Sequence, residues 1–322
     1  MIKTAVLVPT YNREDVLKDT LSNCLETYNK FNFDVYVFDS STNNKSYDIV
    51  KNLQIKYSNL YYIRLCELTH LDCKYLEMIR GLHLKEDYEY IFPCGDANSL
   101  TDFALTRIMP YLEQGVDLIN MSDSAQIIET TEFNSANDYF NSKNFNIGLW
   151  GGAIFNKKTL LNMNDNDWNV AIAKWFKLEY EYLNYVGFWL DRLSTVKNIR
   201  IVEPAMSKNP KDVLRRSPYK SNSFWRWNAF DLIAIKYPKV YNNIPEIYTG
   251  KEEQIKNLLL DNFYEEYFYY LKRNNSFTIK DYYKYKKILD NYCLKIMNIR
   301  IFLIAVLPAR RFWYKLIKKI IK

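Results

Sequence analysis

The sequence predicts an α/β fold built on a mainly parallel sheet, followed by a helical extension. Short apolar, β-branched runs alternate with stretches of helical periodicity as far as Met121. Polar residues follow three of those runs directly, where ligands of such sheets sit, beyond the carboxyl ends of the strands. After residue 220 the strand alternation stops and the chain becomes polar, aromatic and helical in period.

Residues 4–9, Thr-Ala-Val-Leu-Val-Pro, form a continuous apolar run expected of a buried strand. The polar turn Thr10-Tyr11-Asn12-Arg13 follows, and then Leu17, Leu21, Cys24, Leu25 and Tyr28 recur at helical spacing. Residues 33–39 predict a second strand, closed by Ser40-Ser41-Thr42-Asn43-Asn44. A helix over 47–56, a strand over 60–65 and a helix over 71–84 come next. A strand at 88–92 runs into Pro93-Cys94-Gly95-Asp96-Ala97-Asn98, before a helix over 101–113 and a strand over 116–121. Gly148-Leu149-Trp150-Gly151-Gly152 holds three of only eight glycines, which points to close backbone approach. A strand at 153–155, an aromatic helical stretch over 167–193 and a strand at 199–202 complete the alternation.

Composition removes several classes. With two histidines, His70 and His83, a His-rich metal centre is excluded, and both are read as structural residues where a loop enters a helix. Five cysteines at 24, 66, 73, 94 and 293 lack the short pair spacing of a zinc site and cannot all pair as disulfides. Unpaired thiols and an N-terminus without a secretory pattern predict a cytoplasmic protein. The net charge is +7, yet residues 310–322 carry six basic residues and no acid. Without them 38 basic residues face 37 acidic ones, so a nucleic-acid surface is not expected.

Three segments resemble family 2 glycosyltransferases of the GT-A fold, over about residues 1–205. Val8-Pro9-Thr10-Tyr11-Asn12-Arg13 is similar to the opening strand and turn of that family, and Val37-Phe38-Asp39-Ser40-Ser41-Thr42 to its second element. Gly95-Asp96-Ala97-Asn98 stands where the family carries its metal-binding Asp-x-Asp, and resembles the Gly-Asp-Asp-Asp version of surface-polysaccharide enzymes. Phe38, Ser40, Ala97 and Asn98 depart from the usual residues, three of them in place of an acid and Ser40 in place of glycine.

The resemblance implies a nucleotide-sugar site formed by Pro9, Thr10, Tyr11, Asn12, Arg13, Asp39, Gly95 and Asp96. Tyr11 would stack on the base and Asp39 would bind base or ribose. A Mg²⁺ or Mn²⁺ ion held by Asp96 and Asn98 would stabilise the diphosphate leaving group. Gly151 and Gly152 would contact the acceptor or the sugar. The aromatic stretch offers three acids for the general base, Glu179, Glu181 and Asp191, of which Asp191 is the expected one, with Asp165 and Asp167 as rivals. Taken singly, Asn12, Asp39 and Asp96 could serve as helix or turn caps; their coincidence at three strand ends favours a site.

The implied activity is inverting transfer of a sugar from a nucleotide diphosphate, of the UDP type, to a glycan, glycoprotein or lipid-linked acceptor. A catalytically weak relative that only binds sugar nucleotides or supports a partner is the alternative, and a nucleotidyltransferase lacks its Gly-rich loop here. The expected organisation is a catalytic domain over 1–205, a helical extension over 206–300 and a tail over 301–322. In the tail Trp313, Leu316, Ile317, Ile320 and Ile321 share one helical face, and Arg311, Lys315, Lys318 and Lys322 another. That pattern predicts a peripheral anchor on the anionic inner face of the cell membrane, or a terminal helix packed on its own domain.

Overall fold

The structure is a computed structural model, and it describes residues 2–67, 69–121, 129–143, 145, 147, 151–207, 209–218, 231–262, 265–273, 277–292 and 295–320. Gly148, Leu149, Trp150, Cys293, Ile321 and Lys322 lie outside the described residues, as do the side chains of Arg311, Lys318 and Ile320. The described chain forms two compact units, residues 1–221 with 244–249, and residues 222–243 with 250–322.

The first unit opens with β1 (Thr4–Thr10), α1 (Glu14–Lys30), β2 (Phe33–Asp39), α2 (Lys45–Gln54), β3 (Leu60–Arg64) and α3 (Leu71–Arg80). Then come β4 (Tyr90–Pro93), β5 (Asn98–Leu100), α4 (Asp102–Glu113), β6 (Leu118–Asn120), β7 (Thr131–Phe133) and α5 (Ala136–Phe140). It ends with β8 (Ala153–Asn156), α6 (Lys157–Leu160), α7 (Asp165–Trp175), α8 (Asn184–Ser194), β9 (Ile201–Glu203) and β10 (Leu214–Arg216).

Eight strands form one sheet in the order β3-β2-β1-β4-β8-β6-β9-β7, and β5 pairs with β10 in a second, two-stranded sheet. β1 pairs in parallel with β2 and β4, as β2 does with β3 and β6 with β9. The expected parallel sheet is therefore present, but β8 enters it antiparallel to both β4 and β6, and β7 antiparallel to β9. This reversal brings the leading end of β8 to the same edge as the trailing ends of β4 and β6. There Gly151 N–H donates to the Pro93 carbonyl at 3.0 Å, and Met121 N–H to the Gly152 carbonyl at 2.6 Å.

Every residue of β1 is buried, as an apolar strand covered on both faces should be. Leu17, Leu21, Cys24, Leu25 and Tyr28, the stripe read from spacing, are the buried residues of α1 together with Val16 and Thr20. α3 stops at Arg80, short of the expected 84, because Gly81 takes a left-handed φ of 68° and its N–H returns to the Met78 carbonyl. The aromatic stretch over 167–193 is two helices, α7 and α8, not one. They pack without clearance: a Cβ on Gly187 of α8 would lie 2.1 Å from Cε3 of Trp175.

By contact, the first unit continues past 205, through residue 218 among the described residues. The reason is β10, which returns to pair with β5, while Thr101 N–H donates to the Val213 carbonyl at 3.1 Å. Residues 244–249 also belong to the first unit, where Tyr248 Oη donates to the Leu190 carbonyl at 2.6 Å.

The described part of the second unit is helical: a π-helical turn (Leu232–Lys236), α9 (Tyr237–Asn243), α10 (Lys251–Asn262), α11 (Glu265–Arg273), α12 (Ile279–Tyr292), α13 (Lys295–Val306) and α14 (Arg311–Ile320). By contact, the described residues 301–320 cluster with this unit. Ile317 of α14 is buried, Trp313 and Leu316 are half-buried, and Tyr314 stacks on Tyr269 with ring centroids 4.4 Å apart. Much of the expected membrane-facing stripe is thus spent on packing. Among the described residues no helix is long and apolar enough to cross a membrane.

Gly187→Ala is expected to destabilise the first unit by about 1–3 kcal/mol, since the added methyl has no room against the buried Trp175 ring. Chemical denaturation of the two forms checks this. Equal midpoints would mean that α7 can yield.

Candidate active site

The sheet delivers the ends of β1, β2 and β4 to one edge, and short side chains tie them together. At the end of β1, Thr10 Oγ1 donates to Asp96 Oδ2 at 3.1 Å, and from the turn that follows Arg13 Nη1 donates to Asp96 Oδ1 at 2.6 Å. The turn after β4 is thereby locked to the turn after β1. Asn98 N–H donates to the Gly95 carbonyl at 2.9 Å, closing that turn, and Asn98 is the first residue of β5. Gly151 sits against it with φ 86°; a Cβ there would meet Cys94 Sγ at 3.3 Å and Asn98 Cβ at 3.5 Å. The glycine-rich segment is therefore at the edge with the other residues, and the close approach that glycine permits is to Cys94 and Asn98.

The turns after β1 and β2 are joined by Asn12, which has a left-handed φ of 48°. Its N–H donates to Ser41 Oγ at 2.8 Å, and its Oδ1 accepts from Thr42 N–H at 3.0 Å. Asn12 is a cross-link between turns, not a helix cap; α1 has no side-chain cap. Asp39 is fully buried. Its Oδ1 accepts from Ser41 N–H at 2.8 Å, and its Oδ2 from Tyr62 Oη at 2.7 Å and Arg64 Nη1 at 3.2 Å. With three donors already on it, the carboxylate mainly organises the turn. Tyr11, by contrast, is 42% exposed and presents a ring at the rim. Pro9 is buried in β1, opposite Phe38.

Residues 5–67 match the family model described as Glycosyl transferase family 2. That opening segment is similar to family 2 glycosyltransferases, and the fold is GT-A. Among solved structures it is similar to S. aureus TarS 1-349, with 16% identity and a TM-score of 0.55 over 95% of this chain and 81% of that one. The same protein in complex with UDP-GlcNAc matches with 16% identity and a TM-score of 0.54 over 92% and 91%. A mannosyltransferase from Pyrobaculum calidifontis in complex with GDP-Man and Mn²⁺ matches with 12% identity and a TM-score of 0.51 over 94% and 86%. No curated protein matches the sequence.

The family match ends at 67, and the next residue of consequence, Lys74, was not singled out in the sequence. Its side chain, 3% exposed as a residue, donates from Nζ to the Thr10 carbonyl at 2.6 Å. Burial pushes its ammonium down to about 8, against the pull of the Asp96 and Asp39 carboxylates. Burial likewise raises the Asp96 carboxyl above its ordinary value, opposed first by Arg13, then by Thr10 and Lys74. At this edge two buried acids, Asp96 and Asp39, are each paired with a partly exposed arginine, and Lys74 is buried beside them.

For a divalent ion, the described residues contain no group of three or more His, Cys, Asp or Glu side chains able to hold one. Asp96 with the amide of Asn98 fits an ion of the Mg²⁺ type, which takes one or two protein ligands and completes its shell with substrate phosphates and water. Asp96 would share its carboxylate between such an ion and Arg13.

Asp191 is not brought to this edge, which corrects its assignment as general base. α8 starts near the head of α3, where Tyr182 N–H donates to Asp72 Oδ2 at 3.0 Å. It then runs past Tyr75, whose hydroxyl accepts from Trp189 Nε1 at 2.6 Å, to Arg192, whose Nε donates to the Leu160 carbonyl at 2.8 Å. Leu160 follows β8, whose Asn156 pairs with Tyr90 at the leading end of β4. Asp191 therefore lies toward the opposite edge, ion-paired to Lys174 at 2.5 Å. The rivals fare no better: Asp167 and Asn164 form a capping box at the start of α7, and Asp165 is in its first turn.

The residues of α8's start do reach the strand-end side. His70, which accepts from Asp72 N–H through Nδ1 at 3.3 Å, has its Nε2 3.0 Å from Glu181 Oε1. Glu181 is one of the acids that the aromatic stretch offers; nothing local in the sequence pairs it with His70.

Lys74 yields a pH test. Its folded value of about 8 lies below the ordinary 10.5, so between those two values the unfolded chain holds a proton that the folded chain has shed. Stability of the native chain should rise with pH across that window relative to Lys74→Met. Thermal or urea melts of both at pH 7.5 and pH 10 (about either side of the shifted value) measure it. Parallel behaviour would show that Lys74 titrates as a solvated lysine.

Proposed function

We propose that this protein transfers a sugar from a nucleotide diphosphate donor, of the UDP type, to a hydroxyl of a glycan, glycoprotein or lipid-linked acceptor, with inversion at the anomeric carbon. The observation that carries the proposal is the junction of Thr10, Arg13 and Asp96, where turns after two adjacent parallel strands meet in a buried ionic contact. Similar solved structures hold UDP-GlcNAc in one case and GDP-Man with Mn²⁺ in another.

In this reading Tyr11 supplies its exposed ring to the base. The zipped turns around Asn12 and Asp39 give the nucleoside a rigid floor, so little ordering is left to do on binding. Arg13 and Lys74 lie where the diphosphate would accumulate charge as the sugar–phosphate bond breaks, and a fixed cation in a water-poor site stabilises that charge strongly. A divalent ion held by Asp96 and Asn98 would add Lewis-acid stabilisation of the same leaving group. Gly151 and Gly152, at the same edge beside Asn98, would border the sugar.

Calorimetry with UDP, UDP-GlcNAc and GDP-Man, each with and without Mn²⁺, tests the donor site. Arg13→Ala should lower affinity by roughly tenfold or more, the usual scale for a lost charge-assisted contact. Asp96→Asn should keep the Thr10 contact yet lose metal-dependent affinity and turnover. A folded Arg13→Ala that binds UDP as the native protein does would overturn the donor site, and full turnover in EDTA would remove the ion. Tight donor binding without turnover would favour the catalytically weak relative, to which the single carboxylate of the 95–98 turn lends support.

We also propose peripheral attachment to an anionic membrane surface on the cytoplasmic side through α14. Lys315 and Lys319 are exposed, as is Phe312, so the basic face is available even though the apolar stripe is largely packed. Attraction of roughly 1 kcal/mol per charge near the surface makes it electrostatic and salt-sensitive. Lys315→Glu with Lys319→Glu should reduce co-sedimentation with phosphatidylserine vesicles at low salt. Unchanged sedimentation would discard the attachment.

A further inference from the structure

The helices that close the chain leave an apolar face open. α13 is apolar almost all round: between Ile296 and Leu307 only Asn298 and Arg300 are polar. A helix of that kind calls for cover on every side. One side has it. Asn298, Ile301, Ile304 and Ala305 share a face and are buried, and α13 packs on α11 and α12. Tyr282 Oη of α12 donates to Asn298 Oδ1 at 3.0 Å, and Lys272 Nζ of α11 to the Ala305 carbonyl at 2.6 Å.

The opposite face lacks such cover. Ile299, Phe302, Leu303, Val306 and Leu307 recur there at helical spacing, and none of them is buried. Ile299 is 49% exposed and Val306 51%. Past the helix, Pro308 and Arg310 are exposed and Phe312 is 67% exposed, so the turn into α14 is itself open and largely apolar.

The charge around this face is of one sign. Lys295 and Arg300 join the six basic residues of 310–322, and no acid stands between 295 and 322. Asp290 of α12, which accepts from Asn298 Nδ2, is paired with Lys286. A second copy of this chain, brought to the face across a two-fold axis, would set these cations against their own kind. An anionic lipid surface supplies the opposite charge and an apolar layer together.

We infer that the outer face of α13 and the turn into α14 insert into the interfacial layer of an anionic membrane. Ile299, Val306 and Phe312 enter its apolar zone, while Arg310, Lys315 and Lys319 stay among the headgroups. The inference rests on the membrane attachment proposed above and adds a second force to it. Attraction through α14 is electrostatic and fades with salt; apolar burial through α13 does not. The twelve residues of α13 span about 18 Å, short of the roughly 30 Å of a hydrocarbon core, so the helix lies in the plane of the surface. α14 turns its own stripe inward, and α13 provides the apolar surface that α14 has spent.

The test uses the full chain with vesicles of phosphatidylcholine and phosphatidylserine, at low salt and at about 1 M salt, where charges are screened beyond about 3 Å. Co-sedimentation is read for the native protein, for Val306→Ser with Phe312→Ser, and for Val306→Leu with Phe312→Leu. Both positions are exposed and neither pair changes the charge, so thermal melts of the three forms should coincide. The native protein should stay partly bound at high salt. The serine pair should lower the partition coefficient at both salts by about tenfold or more, the scale of two apolar side chains left in water. The leucine pair should bind as the native protein does. Low-salt binding that the serine pair leaves unchanged, or that high salt abolishes, overturns the insertion and leaves the electrostatic attachment standing. A native protein that sediments with no vesicle at low salt overturns the attachment itself, and the insertion with it. A native dimer in analytical ultracentrifugation that the serine pair dissociates assigns the face to a second copy and overturns the lipid.

Discussion

The buried contact of Asp96 with Arg13 and Thr10 is the constraint on which the rest of the edge depends. A carboxylate 4% exposed is tolerable only if cations and hydroxyls replace its water. Arg13, Thr10 and Lys74 do so, and they come from the turn after β1 and from α3, while Asp96 follows β4. One satisfied charge therefore fixes three segments against each other. Removing any partner leaves a charge without compensation, so the arrangement is rigid for the same reason that it is costly.

A second set of contacts does for the turn after β2 what Asp96 does for that after β4. Asn12 bridges to Ser41 and Thr42, and Asp39 gathers Ser41, Tyr62 and Arg64. Burial pushes the Tyr62 hydroxyl up to about 12, so it stays a donor to Asp39 through the neutral range. These residues resemble ligand contacts in sequence, but most of their hydrogen-bonding capacity is spent inside the protein. What they offer a nucleotide is a preformed surface, with Tyr11 left exposed upon it.

Where the donor edge uses buried charge, a hollow beside α3, lined by His70, Phe176 and Asn184, uses backbone strain at Tyr182, held by Asp72, and a polar atom left open at Asn184. The two join through the first turns of α3, whose successive residues Cys73 and Lys74 serve different sides. A short helix thus has one residue on the hollow and the next at the strand ends.

The amino-acid sequence by itself determined seven of the ten described strands, the main helical stripes and the three polar turns; β5, β7 and β10 were not legible in it. Strand and helix periodicity is local, and the motif around Thr10 to Arg13 is contiguous, so both can be read without folding the chain. Tertiary structure alone decided the rest. β8 reads as any apolar strand, and its reversal follows from pairing with β4 and β6, which lie far away in the chain. Asp191 and Glu181 look alike as acids near an aromatic helix. Only the direction of α8, fixed by Asp72 at one end and the Leu160 carbonyl at the other, sends one away from the strand ends and leaves the other beside His70. The stripe of α14 has the same period whether it meets lipid or protein, and packing on its own unit settled where Ile317 goes. Periodicity names the face of an element that must be covered; the pairing of distant segments chooses the cover and the neighbours that each charge will meet.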